Sequence, residues 1–161
     1  MGKRLREGRG MSTERRPPLR AEYRAFQELT TRWADNDSYG HMNNVVHYAL
    51  FDTAVNHWLI RHVGLDIHSS PVIGLVVESG CRYFGEMGYP DLVTAGLRVA
   101  RLGNSSVVYE VGLFRNDDES ASASGFFTHV YVDRESKRPQ PLASEWRNAL
   151  EALLQPPESA L

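Results

Sequence analysis

A chain of 161 residues, 42% hydrophobic and 24% charged, has the bulk for one domain with its own core and argues against disorder. Its single cysteine, Cys81, excludes a disulfide framework and any multi-cysteine metal site, and fits a reducing compartment. The formal charge of −2 is spread unevenly, with eight Lys or Arg against three Glu in residues 1–24 and an acidic remainder.

The basic stretch predicts an N-terminal arm, residues 1–22, without ordered structure, and Met11 offers a second possible start within it. Such an arm can contact nucleic acid or anionic lipid, but a solvated tail is its ordinary reading, so no nucleic-acid partner is assigned. The arm has no apolar core of a secretory signal, and no run in the chain approaches the roughly 20 apolar residues needed to span a bilayer. The expectation is a cytoplasmic protein with no stable membrane insertion. A single domain is expected over 23–155, with a short tail at 156–161.

Within that domain, Tyr23–Trp33 suits a first strand. Val45–His62 reads as a long helix whose apolar residues cover most of its circumference, the mark of a buried helix, with Gly64 as its stop. From Pro71 the period changes to that of strands. "VIGLVVESGCRYF", "LVTAGLRVARL", "SVVYEVGLF" and "SASGFFTHVYVD" are separated by turn clusters and read as four antiparallel strands. "SEWRNALEALL" then sets Trp146, Ala149, Leu150, Leu153 and Leu154 on one face of a short helix. The implied architecture is α+β, a curved antiparallel sheet around one long helix, with an edge that a second copy could cover.

The chemistry concentrates just before the long helix, in "DNDSYGHMNNVVHYALF", Asp35 to Phe51. Asn43 or Asn44 stands where an N-cap belongs, and the free N–H groups of a first helical turn suit an anion or a developing oxyanion. Gly40 permits a tight turn and close approach to the backbone. Asp37 lies just upstream, so a carboxylate would stand beside an oxyanion-binding helix mouth, as a hydrolase needs. The same residues also make an ordinary Asp-Ser-Tyr-Gly turn with routine capping, and His41 by itself suits a hydrogen-bonded turn position.

This stretch resembles the signature of hotdog-fold thioesterases of the 4-hydroxybenzoyl-CoA and acyl-CoA type, approximately D-x-D-x-x-G-H-x-N-N-x-x-Y. Asp35, Asp37, Gly40, His41, Asn43, Asn44 and Tyr48 match, while His47 stands where many members carry another residue. Looser similarity runs over residues 25–154. The resemblance implies a hotdog fold and an acyl-CoA thioesterase that needs neither metal nor cofactor. It implies Asp37 as nucleophile or general base and the N–H near Asn44 as the carbonyl polariser. His41 and Asn43 would support the turn, and Tyr48 would pack beneath it. It further implies a homodimer or a dimer of dimers whose subunits share each site, and it places Asn104 and Ser105 near the pantetheine or nucleotide.

Several groups stay open. Arg82, Arg98, Arg101 and Arg115 could meet CoA phosphates or simply point outward. Glu78 could be a second acid or an edge contact. His57, His62 and His129 are spaced poorly for a metal. Acyl-carrier-protein thioesterases share the HxNN helix start, although their plant-type members place an asparagine where this chain has Tyr39. Hydratases on the same fold pair an acid and a histidine in a different pattern. A non-catalytic acyl-CoA-binding module is the remaining alternative, and it would not need Asp37.

Overall fold

The alternation in Val107–Phe114 becomes a strand whose Val107, Tyr109, Val111 and Leu113 are fully buried, while Val108 and Glu110 on the other face are half-buried. The same period of two organises its neighbours. The computed structural model describes residues 16–155. They form β1 (Ala25–Thr30), α1 (Val46–Val63), β2 (Val72–Tyr83), β3 (Leu92–Leu102), β4 (Ser106–Arg115), β5 (Ala123–Asp133) and α2 (Ser144–Glu151). Short 3-10 turns stand at Arg20–Glu22 and Trp33–Asp35. The elements and their chain order are those read from the sequence.

All strand pairs are antiparallel, in the order β1-β3-β4-β5-β2. β2 therefore does not pair with β3, its successor in the chain. It lies at the far edge beside β5, and the link of residues 84–91 crosses the end of the sheet, with Phe84 and Gly85 donating to Ser122 O. Among the described residues nothing pairs with the other side of β2, and a one-residue bulge between Val76 and Glu78 interrupts its pairing with β5.

α1 packs on the concave face. His47, Phe51, Ala54, Val55, Trp58 and Leu59 are buried, a stripe at helical spacing, whereas Asp52, Thr53, His57, Ile60 and Arg61 are exposed. The expectation of a helix buried nearly all round is corrected here. One sheet covers one face of a helix, and Ile60 and Val45 lie outside that face. The contact is close: a Cβ on Gly125 of β5 would overlap the Phe51 ring. Gly64 ends the helix in the left-handed conformation, φ 68°. α2 seals the far end with buried Leu150, followed by Leu153.

Residues 16–22, expected to belong to the arm, pack against the domain. Leu19 bridges Ser120, Arg20 donates to the carbonyls of Asn116 and Asp118, and its guanidinium lies 4.9 Å over the Phe114 ring. The rest of the arm and the tail at 156–161 lie outside the described residues.

His129 of β5 is enclosed among Tyr109, Phe127 and Tyr131 at 4% exposure. Neither ring nitrogen has a partner, because the Tyr109 and Tyr131 hydroxyls bond each other at 2.6 Å. Burial therefore pushes the imidazole down to about 4. The unfolded chain protonates near pH 6.5 and the folded one does not, so stability is full above pH 6.5 and falls as the pH drops toward 4. The loss can reach about 3 kcal/mol. His129→Phe is expected to flatten the fall of urea stability across that window, and an unchanged slope would remove His129 as its source.

Candidate active site at the mouth of helix α1

Between β1 and α1 the chain makes two nested turns, each held by its own aspartate. Asp35, 2% exposed, turns back on Arg32. Its Oδ2 accepts the Arg32 N–H at 2.7 Å, and Oδ1 accepts Nε and Nη2 at 3.0 and 2.8 Å. The Asp35 carbonyl accepts the Asn43 N–H at 2.8 Å, which closes the outer turn. The matching aspartate of the motif is thus a frame, and its carboxylate is consumed.

Asp37 is half-buried and engaged on one side only. Oδ1 accepts the N–H of Tyr39 at 2.8 Å and of His41 at 3.3 Å. The Asp37 N–H donates to His41 O at 2.7 Å, and Gly40 sits between them at φ 83°, a conformation open to glycine and costly for most residues. Among the described residues nothing donates to Oδ2. One oxygen anchors the turn and the other stays available. The turn is clipped to the 84–91 link by Met42 N–H to Met87 O at 2.7 Å and by Tyr89 N–H to Asn36 Oδ1 at 3.0 Å. The His41 ring points away from Asp37, with Nε2 3.0 Å from Glu86 Oε2, both groups open to solvent.

Asn43 caps the helix start. Its Oδ1 accepts the Val45 N–H at 3.1 Å and its carbonyl accepts the Val46 N–H at 2.9 Å. That leaves the Asn44 N–H without an acceptor among the described residues, at the positive end of an 18-residue helix. The Asn44 carbonyl accepts the Tyr83 hydroxyl at 2.8 Å. Burial, with Cys81 alongside, pushes that phenol up to about 12, so it remains a donor at neutral pH. Tyr83 also meets the His47 ring edge-on, centroids 4.7 Å apart. His47 is buried, which holds its imidazole below the ordinary value and neutral at pH 7. Tyr48 packs edge-to-face on Phe51 one turn in.

Motif spacing pointed to Asp37, Gly40, His41, Asn43, Asn44 and Tyr48, and the fold brings these together. Asn104 and Ser105 stand elsewhere in the same chain. They follow the far end of β3, an eleven-residue strand and so on the order of 35 Å from its Asp91 end. Their carbonyls bind Leu142 N–H and Arg147, and Tyr131 N–H, respectively. Arg98 and Arg115 are engaged at home, with Glu110 at 2.6 Å and Asp91 at 3.0 Å. Glu78 is exposed on the free strand β2. Tyr83 and Glu86 were not anticipated. No motif marks them, and β2 shows no alternation of buried and exposed residues that would point to Tyr83.

The mouth is open in a single chain. Tyr39 and Trp33 are 85% and 77% exposed, and Tyr89 meets Trp33 edge-on at 6.2 Å. A cavity of about 710 Å³ lies instead on the outer face of the sheet between Arg16, Arg82, Arg98 and Phe126, and neither Asp37 nor Asn44 lines it.

One long helix held in a curved antiparallel sheet, its first turn beside an aspartate-held turn, defines a hotdog-fold protein with a hydrolase-type site. The chain belongs to the thioesterase superfamily, whose family model matches residues 39–122, and its chemistry is thioester hydrolysis. It is 54% identical to the PA5185 protein of Pseudomonas aeruginosa PAO1, with a TM-score of 0.85 over 88% of this chain and 99% of that one. It is 28% identical to the PA2801 protein of Pseudomonas aeruginosa, with a TM-score of 0.74 over 79% and 98%. A thioesterase of Thermus thermophilus, solved with coenzyme A and Zn, is 25% identical, with a TM-score of 0.68 over 82% and 95%. No curated protein matches the chain.

The two aspartates have separable roles. Asp35→Ala strands the Arg32 N–H and is expected to cost about 1–3 kcal/mol. Asp37→Asn keeps an acceptor for Tyr39 and His41, since asparagine makes the same turn, and is expected to melt within about 1 kcal/mol of the parent. Thermal unfolding of the two variants checks the contrast.

Proposed function

We propose that the protein hydrolyses an acyl-CoA thioester, with Asp37 as nucleophile or general base. The observation that carries this reading is the pairing of a free carboxylate oxygen, Asp37 Oδ2, with an unengaged N–H at Asn44 on the end of α1. A thioester carbonyl oxygen bound by that N–H gains negative charge in the tetrahedral transition state, where the helix dipole and the N–H stabilise it. Oδ2 then takes a proton from the attacking water, or attacks the carbonyl carbon itself; either way the tetrahedral intermediate expels the CoA thiolate, and in the second case water cleaves the acyl–aspartyl anhydride to free acid and Asp37. Gly40 keeps the approach to the backbone open. His41 and Asn43 hold the turn. Structures similar to this one include proteins described with coenzyme A, which supports CoA as the leaving group.

The open mouth and the one-sided strand β2 belong together in this reading. Leu75, Val76 and Val77 are exposed on a strand whose outer hydrogen-bonding edge is free, Val77 at 60%. Pairing of β2 with β2 of a second copy would extend the sheet and cover these side chains. Antiparallel pairing reverses the second sheet, so its Asn104–Ser105 turn would face the side on which Asp37 lies. Those two residues then remain binding candidates for the site of the neighbouring subunit, not of their own.

Thiol release from short, medium, long and aromatic acyl-CoAs tests the proposal. Wild type should turn over at least one class, and folded Asp37→Asn should lose about a hundredfold or more in kcat. Tight acyl-CoA binding by both proteins without turnover would leave a binding module. For the assembly, Val76→Lys is expected to halve the mass measured by light scattering and to abolish hydrolysis. A monomeric wild type would sink the shared-site reading.

A further inference from the structure

We infer that Tyr83 and His47 are positioning residues that fix the direction of the Asn44 N–H. The inference rests on the reading of Asn44 as the carbonyl polariser. Two peptide units decide where that N–H points. The Asn43–Asn44 unit carries it. The Asn44–Val45 unit follows, and a rotation about Asn44 would swing one unit against the other.

Each unit is held by its carbonyl. Asn43 O accepts the Val46 N–H at 2.9 Å. Asn44 O accepts the Tyr83 O–H at 2.8 Å, a bond from the end of β2, 39 residues away in the chain. The N–H of the second unit is held as well, by Asn43 Oδ1 at 3.1 Å. With both carbonyls and the Val45 N–H pinned, the Asn44 N–H, which has no acceptor among the described residues, has one direction. The constraints other than the Tyr83 bond come from Asn43 and the helix itself. Among the described residues, the Tyr83 bond is the hydrogen bond that ties Asn44 to a strand.

Tyr83 is nearly half exposed, so its packing alone does not lock the phenol. His47 supplies the lock. It lies one turn into α1, 4% exposed, and presents its ring at 86° to the Tyr83 ring, 4.7 Å between centroids. Its Nδ1 is buried without a partner. The Asn43 and Asn44 backbone beside the ring works against burial and keeps part of the imidazole's basicity, so His47 meets the turn as well as Tyr83.

Tyr83→Phe removes the O–H and keeps the ring, its contact with His47 and the fold. On the full chain it is expected to lower kcat about tenfold with KM unchanged, because the donor matters only once charge develops on the carbonyl oxygen. His47→Phe keeps an aromatic edge against Tyr83 but removes the ring nitrogens beside the Asn43 and Asn44 backbone, and is expected to lower kcat severalfold, less than Tyr83→Phe. A wild-type kcat in Tyr83→Phe overturns the inference, as does a loss in His47→Phe as large as that in Asp37→Asn. Amide NMR reads the geometry without turnover: the Asn44 resonance should shift in Tyr83→Phe and, by less, in His47→Phe. If no thioester is hydrolysed by wild type, the proposed reaction fails while the NMR arm still decides the positioning. An unmoved Asn44 amide in Tyr83→Phe overturns it.

Discussion

Phe51 can lie against β5 only because residue 125 has no side chain. That contact sets how deep α1 sits in the sheet, and the depth decides where its first turn emerges. A larger residue at 125 would lift the helix, draw Asn44 O away from Tyr83 and open the distance between Asn44 and the Asp37 turn. The turn itself cannot follow, since Met42 and Asn36 clip it to the 84–91 link. The close fit of one aromatic ring on bare backbone thus fixes two separately anchored pieces at one place. Core packing and site geometry are the same constraint seen from two ends.

The mouth is notable for how its hydrogen bonds are assigned. A helix start has several N–H groups without partners, and an aspartate has several lone pairs. Asn43 takes two of the former, at Val45 and Val46. The Tyr39 and His41 amides take one oxygen of Asp37. Among the described residues the Asn44 N–H and Asp37 Oδ2 are left without a partner. Both ordinary readings of the motif hold together: the capping and the Asx turn are real, and they engage the groups around the Asn44 N–H and Asp37 Oδ2, on which the proposed reaction rests.

Much of this was legible in the chain. Period two in β3 to β5, the long apolar run of α1 and the glycine stop at 64 gave elements whose bounds agree within a few residues, and fixed spacing identified the turn because its partners are local. What was hidden is long-range. The strand order depends on how the link at 84–91 crosses the sheet end, which no periodicity records. The one-sided burial of α1 depends on there being a single sheet to cover it, whereas an apolar count around the helix treats Ile60 and Leu59 alike. Tyr83 meets Asn44 across 39 residues, and the distance of Asn104 from Asp37 is a matter of which end of β3 each occupies. Arg16–Glu22 looked like more of a basic arm because charge dominates its composition, yet Arg20 spends its charge on backbone carbonyls and an aromatic face.

That last segment has a topological consequence. Arg16 and Gln155 line the same cavity on the outer face of the sheet, the face turned away from α1, and Gln155 pairs with Val99 beside Arg98. The two ends of the described domain therefore meet on the side opposite the mouth. Joining them by a short linker would close the chain into a ring without crossing the site, and the ring could be reopened at an exposed turn such as Asp117–Glu119 to give a permuted order of the same strands. The order of elements along the chain is then one cut of a closed arrangement, and the site does not depend on where the cut is made.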